Sequence, residues 1–164
     1  MRRTSWAVGG FVSGAVFRAD ICAPAVDTAW AMSRENVEIV RGVIEGWNQA
    51  GAEGVVGLLS PDWVGYPFPE WPTESVYRGR EGFAELADEW TETFDHVEWE
   101  IERLIDDDDV VVALSNLKAR VRGAGIPISM PVGGVFTSFA DGMVGKITFF
   151  MTWGETLEAA GLRE

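Results

Sequence analysis

An α+β fold is the class this sequence predicts, and three observations predict it. Apolar residues recur at helical spacing in the first part of the body and at every second position in the rest. No strand–helix–strand alternation of the kind that builds a parallel sheet lies between them. A chain of 164 residues, 47% hydrophobic and 12% aromatic, is one globular domain's worth of material. The expected arrangement is a curved antiparallel sheet folded over helices.

The body starts near Met32. Before it, Arg2 and Arg3 precede an apolar run from Trp6 to Phe17, and the stretch closes on Ala29-Trp30-Ala31, a small-x-small pattern of the signal-peptidase type. Arg18, Asp20 and Asp27 make that region long and charged for a signal, and the run is too short and too rich in Gly to span a bilayer. Residues 1–31 are therefore expected to be a disordered or mis-called extension with Met32 as the working start, a cleaved signal being the alternative. Residues 32–164 are expected to form the domain.

From Ser33, placed as an N-cap, Val37, Val40, Ile44 and Trp47 mark one helical stripe that Gly51 ends. A short second helix is expected over Ala52–Leu59, stopped by Ser60-Pro61. The stretch Trp63-Val-Gly-Tyr-Pro-Phe-Pro-Glu-Trp-Pro72 then puts four aromatic residues and three prolines into ten positions. Pro67, Pro69 and Pro72 remove ladder donors, so a short strand to Tyr66 must give way to a stiff edge or rim. Tyr77-Arg-Gly-Arg-Glu-Gly82 leads into a third helix carrying Phe83, Leu86, Ala87, Trp90 and Phe94.

After His96 the period becomes two. Val97, Trp99, Ile101 and Arg103 alternate with Glu98, Glu100, Glu102 and Leu104, the pattern of a half-buried strand with an acidic face. Asp106 to Asp109 is expected as a solvated hairpin tip. Val110–Arg122 reads as a second long strand, Ile126–Ala140 as a third interrupted by Pro131 and Gly133-Gly134, and Gly145–Trp153 as a fourth. Asp141-Gly142 turns the chain between the last two. Gly154–Leu162 is expected to be a short terminal helix.

The charge balance of 13 basic to 26 acidic residues, net −13, repels phosphate backbones and anionic headgroups. Neither nucleic acid nor a membrane surface is an expected partner. One cysteine, Cys22, and one histidine, His96, offer neither a disulfide framework nor a zinc set. The aspartates at 106–109 lack the glycine and spaced glutamate of a calcium loop. No metal or cofactor is expected.

The segment Met32-Ser-Arg-Glu-Asn-Val-Glu-Ile-Val40, Ser60-Pro-Asp62 before a short strand, Tyr77-Arg-Gly-Arg-Glu-Gly82, and Asp141-Gly142 through Trp153-Gly-Glu-Thr-Leu-Glu-Ala-Ala-Gly-Leu162 together resemble the SnoaL-like branch of the nuclear transport factor 2-like superfamily. The resemblance covers Met32–Leu162 and implies a cone: three helices over the concave face of a strongly bent sheet, a pocket at the open end, and an outer sheet face that packs on a second copy. It implies no single activity, because this cone serves isomerases, cyclases, epoxide hydrolases, dehydratases and binding modules. Ketosteroid isomerase-like members use a general-base aspartate and a protonated aspartate as oxyanion donor. The corresponding positions fall at Tyr66 and within Gly133–Val135, and neither carries a carboxylate.

Candidate residues come from chemistry. Tyr66 can donate or accept one hydrogen bond at a carbonyl or enolate, His96 is suited by type to proton transfer near neutral pH, and Asn116 can orient a carbonyl if its face of the strand turns inward. Each also has a structural reading: Tyr66 as a rim residue, His96 as a surface residue at a junction, and Asn116, Lys118 and Arg120 as a solvated row pairing with the acidic strand beside it. Trp47, Phe68, Trp71, Trp90 and Phe94 are the expected pocket lining, with core packing the alternative for those at helical spacing. The expected function is binding of a small hydrophobic molecule by a cytoplasmic homodimer. A cofactor-independent isomerase, cyclase or dehydratase acting on a carbonyl compound stays open beside it, as does a non-catalytic dimeric module.

Overall fold

The computed structural model describes residues 24–69 and 74–162, with side chains from residue 34 onward. The chain divides into two units, Met1–Met32 and Ser33–Glu164. Of the stretch expected to be an extension, residues 1–23 lie outside the described residues. Residues 24–31 are the first turns of helix α1, Pro24–Ala50. Ser33 is therefore inside a helix and not its cap. The second unit holds the whole described sheet.

Helix α1 buries Val40, Ile44 and Trp47 of the expected stripe and adds Ile39 and Val43, while Val37 is half-buried against the same core. It ends where Gly51 takes φ +67°, a left-handed conformation that costs glycine little. The expected second helix is only two 3₁₀ turns, Gly51–Gly54 and Val56–Leu58. Contact with α1 explains the short form: a Cβ on Gly46 would lie 2.1 Å from the Gly54 carbonyl oxygen, so backbone meets backbone there.

Strand β1 (Leu59–Tyr66) comes at once after these turns, and Pro61, expected to sit in the helix stop, lies inside it. Proline is tolerated because the pairing of β1 with its neighbour breaks between Leu59 and Val64, leaving no ladder position for its missing N–H. Arg80 donates from Nε and Nη2 to the Leu59 carbonyl at 3.0 and 2.8 Å. Strand β2 (Tyr77–Arg78) pairs antiparallel with β1. Helix α2 (Gly79–Thr93) buries Phe83, Leu86, Ala87 and Trp90.

Four longer elements complete the sheet and one helix closes the chain: β3 (Phe94–Asp107), β4 (Val110–Val121), β5 (Pro127–Thr137), β6 (Val144–Phe150) and α3 (Trp153–Ala159). Both expected turns are present. Asp108 has φ 58° at the β3–β4 tip, and Asp141 and Gly142 have φ 55° and 76° between β5 and β6. Among the described residues the sheet order is β2-β1-β6-β5-β4-β3, curved and unclosed. The α+β cone is thus the observed class, with two corrections. The sheet is mixed and not wholly antiparallel, since β1 runs parallel to β6. The third α-helix sits at the C-terminus and not in the N-terminal half.

The alternation along β3 changes phase where the sequence does not show it. Ile101 pairs with Ser115 but Arg103 pairs with Leu114, so Glu102 is an extra residue, a bulge that re-aims the strand. Leu104 thereby joins the buried side and Arg103 turns out, the reverse of the simple alternation. β3 is an edge strand, and α1 covers part of its open edge: Trp47 Nε1 donates to the Val97 carbonyl at 3.0 Å. Asn48 both donates to the Trp99 carbonyl and accepts from the Trp99 N–H, each at 2.9 Å. Side chains thus satisfy main-chain groups that would otherwise template another strand. No described helix is long and apolar enough to cross a membrane.

Candidate functional site

The concave face of the sheet builds the site from alternate residues. On β4 these are Val111, Ala113, Ser115, Leu117 and Ala119, all buried. On β5, Val132, Gly134 and Phe136 stand opposite Ser115, Ala113 and Val111. The small side chains in the middle of this floor leave space. Helices α1 and α2 roof it with Val43, Ile44, Trp47, Phe83 and Trp90, which with the floor line an inner cavity of about 40 Å³.

A second, outer cavity of about 240 Å³ adjoins it toward the end of the sheet where β3 begins, lined by Phe68, Trp90, Phe94, Val97, Trp99, Leu117, Met130 and Met151. Trp90 and Trp99 are walls of both cavities. With Phe149 they form a ring cluster whose centroids lie 5.5 to 5.9 Å apart, within the range of favourable aromatic packing. Trp90 also meets Trp47 edge-on at 5.5 Å. Its Nε1 is buried and has no hydrogen-bond partner among the described residues.

No lining residue of either cavity among those described carries a titratable side chain. Ser115, 2% exposed, brings the one side-chain oxygen. A reading that follows the row Asn116, Lys118, Arg120 passes over it. The signal is in the other row of the same strand, a single hydroxyl among apolar neighbours.

Of the expected pocket residues, Trp47 and Trp90 line the inner cavity, and Phe68, Trp90 and Phe94 the outer one. Trp71 lies outside the described residues. The structure does not bring Tyr66, His96 and Asn116 together. Alternation along β1 points Trp63 and Gly65 inward and leaves Tyr66 37% exposed, with Lys146 Nζ 5.3 Å from its ring centroid. Asn116 donates to Glu102 at 2.9 Å on the outer face. The His96 side chain is 72% exposed, 3.8 Å from Glu98. β6 and β5 separate β1 from β4, about 14 Å of sheet at the usual strand spacing. Tyr66 and Asn116 therefore cannot act on one carbonyl.

Lys118 pairs with Glu100 at 3.3 Å, so the row 116–118–120 is the solvated one. His96, Lys118, Arg120 and Ser129 border an open groove on this outer side. Among the described residues no group of three or more His, Cys, Asp or Glu side chains is placed to hold a metal.

Residues 40–148 match the SnoaL-like domain family. The chain belongs to that family. Among solved structures, a protein of Jannaschia sp. CCS1 assigned as a SnoaL-like polyketide cyclase is 22% identical, with a TM-score of 0.63 over 72% of this chain and 85% of the other. A ketosteroid isomerase-like protein of Catenulispora acidiphila in complex with trimethylamine is 16% identical, TM-score 0.62, over 77% and 94%. TerC, co-crystallised with polyporic acid, is 16% identical, TM-score 0.64, over 76% and 98%. At these identities the likeness is one of fold. No curated protein matches.

Proposed function

We propose that this SnoaL-like domain binds a small, largely apolar molecule in the outer cavity. The observation that carries the reading is the cavity itself: about 240 Å³ walled by aromatic, aliphatic and thioether side chains. An apolar cavity of ~150 Å³ in a protein core takes up benzene, so this one has room for a fused two-ring compound. Proline at 67 and 69 holds Phe68 at the wall with few conformations to lose on binding. Small organic molecules bound to the Catenulispora protein and to TerC are in keeping with it.

The catalytic alternative built on Tyr66, His96 and Asn116 has less behind it, because those side chains lie on the far side of the sheet from both cavities. Acid–base work needs a titratable group within reach of the proton it moves, and the described walls supply none. For the quaternary state we infer a homodimer through the outer sheet face, where Val135, Thr148 and Phe150 remain half-buried. Sedimentation equilibrium tests that inference, and a monomer at all concentrations refutes it. The acidic composition and single cysteine fit a cytoplasmic setting.

Calorimetric titration with 2-ethylnaphthalene tests the binding reading. Saturable binding is expected, weakened tenfold or more by Met130→Trp, which fills the outer cavity from a half-exposed position. Absence of binding, or binding indifferent to Met130→Trp, refutes the site.

A further inference from the structure

We propose that Ser115 selects the ligand, so that the site favours an apolar ring compound bearing one hydrogen-bonding oxygen at its end, a carbonyl or a hydroxyl, over the matching hydrocarbon. The proposal rests on the binding reading above and names what that reading leaves open, the polar feature of the ligand. Its first support is placement. Ser115 is on the floor of the inner cavity, and its main-chain carbonyl is already engaged by Trp153 Nε1 at 2.9 Å from the other side of the sheet. Its hydroxyl makes no hydrogen bond among the described residues, and it is not one of the sealed-off unpartnered atoms, which are Trp63 Nε1 and Trp90 Nε1, so the oxygen is open to the cavity. A hydrocarbon bound over that hydroxyl would leave it without a partner at a cost in free energy, whereas a ligand oxygen that pairs with it gains selectivity over the hydrocarbon.

The second support is size. The inner cavity, about 40 Å³, is far below the ~150 Å³ of a protein-core cavity that takes up benzene, yet above what one water-sized group needs. The outer cavity is large enough for rings. The two share Trp90 and Trp99 as walls. A ligand that uses both must keep its rings outside and send a small end group past those indoles. That orientation brings the end group to Ser115, the one side-chain oxygen there. Ala113 and Gly134, flanking Ser115 on the floor, keep the approach clear.

Titration of the full chain with 2-acetylnaphthalene and 2-ethylnaphthalene reads this directly, because the two differ chiefly in one carbonyl oxygen. The ketone is the better hydrated, so the informative quantity is the change in the ratio of their Kd values on substitution, in which hydration cancels. Ser115→Ala is expected to move that ratio about five- to tenfold against the ketone. Ser115→Thr, which keeps the hydroxyl, is expected to leave it within about twofold by the same reasoning. If Ser115→Ala does not fold, Ser115→Cys replaces it, with a shift in the same direction and smaller. An unchanged ratio while both probes still bind overturns the role of Ser115 and leaves the apolar site standing. Binding of neither probe to the full chain overturns both.

Discussion

The two faces of the sheet share strands and a backbone, yet carry opposite chemistry. On β4 the inward row is Val111, Ala113, Ser115, Leu117 and Ala119, and the outward row includes Asn116, Lys118 and Arg120. The inward row surrounds cavities without a titratable group, while the outward one forms hydrogen bonds and ion pairs with the glutamates of β3. Reactive residue types are thus gathered where there is solvent, and enclosed space is gathered where there are rings. Residue type alone points to the wrong face, because a charged group stays where water pays its solvation cost.

The contrast is most severely tested at Trp90, which touches Trp47, Trp99 and Phe149. Trp90→Ala is expected to destabilise the domain by about 3–5 kcal/mol, as for other large-to-small core changes. Chemical denaturation measures it, and a loss under about 1 kcal/mol would mean that the ring cluster is not the core described. Gly46→Ala comes next, at about 1–3 kcal/mol, because its Cβ would meet the Gly54 backbone, whereas Gly57→Ala, with nothing within 4 Å, should be nearly neutral. Equal melting temperatures for the two variants would remove the backbone contact from the account.

Asn48→Ala should cost about 1–2 kcal/mol through two lost hydrogen bonds to the Trp99 main chain. Faster amide exchange confined to the 97–101 edge of β3 would show that the loss acts there, and unchanged exchange would show that Asn48 does not guard the edge. The smallest effects belong to the outer face. Lys118→Ala should change stability by at most about 1 kcal/mol, as exposed ion pairs do, and Tyr66→Phe and His96→Ala should leave naphthalene binding within about twofold, since neither residue reaches a cavity wall. A tenfold loss of binding in Tyr66→Phe would reverse the assignment of faces.

Much of the fold was legible because its signals are local. The α1 stripe, the α2 stripe, the Asp141-Gly142 turn and the period-two strands depend on neighbours within a few residues. The misreadings each have a nonlocal cause. The Glu102 bulge depends on how β4 lies alongside, and it exchanges Arg103 and Leu104 between faces without leaving a mark in the alternation. The 51–58 segment reads as a helix until the approach of Gly54 to Gly46 is known. For the site, aromatic residues at helical spacing were visible as lining or core, but nothing near Ser115 in sequence says that Gly134 and Trp90 leave room beside it.

By itself the sequence determined the class, much of the element order and the ring-rich character of what lies inside, because hydrophobic periodicity and turn chemistry act over short stretches of chain. Tertiary structure alone decided that β1 runs parallel to β6, that Tyr66 faces Lys146 instead of a cavity, and that one serine among apolar neighbours stands on the floor of the inner cavity. Those outcomes depend on strand register and on which side chains meet across the sheet. Residues far apart in the chain fix them together.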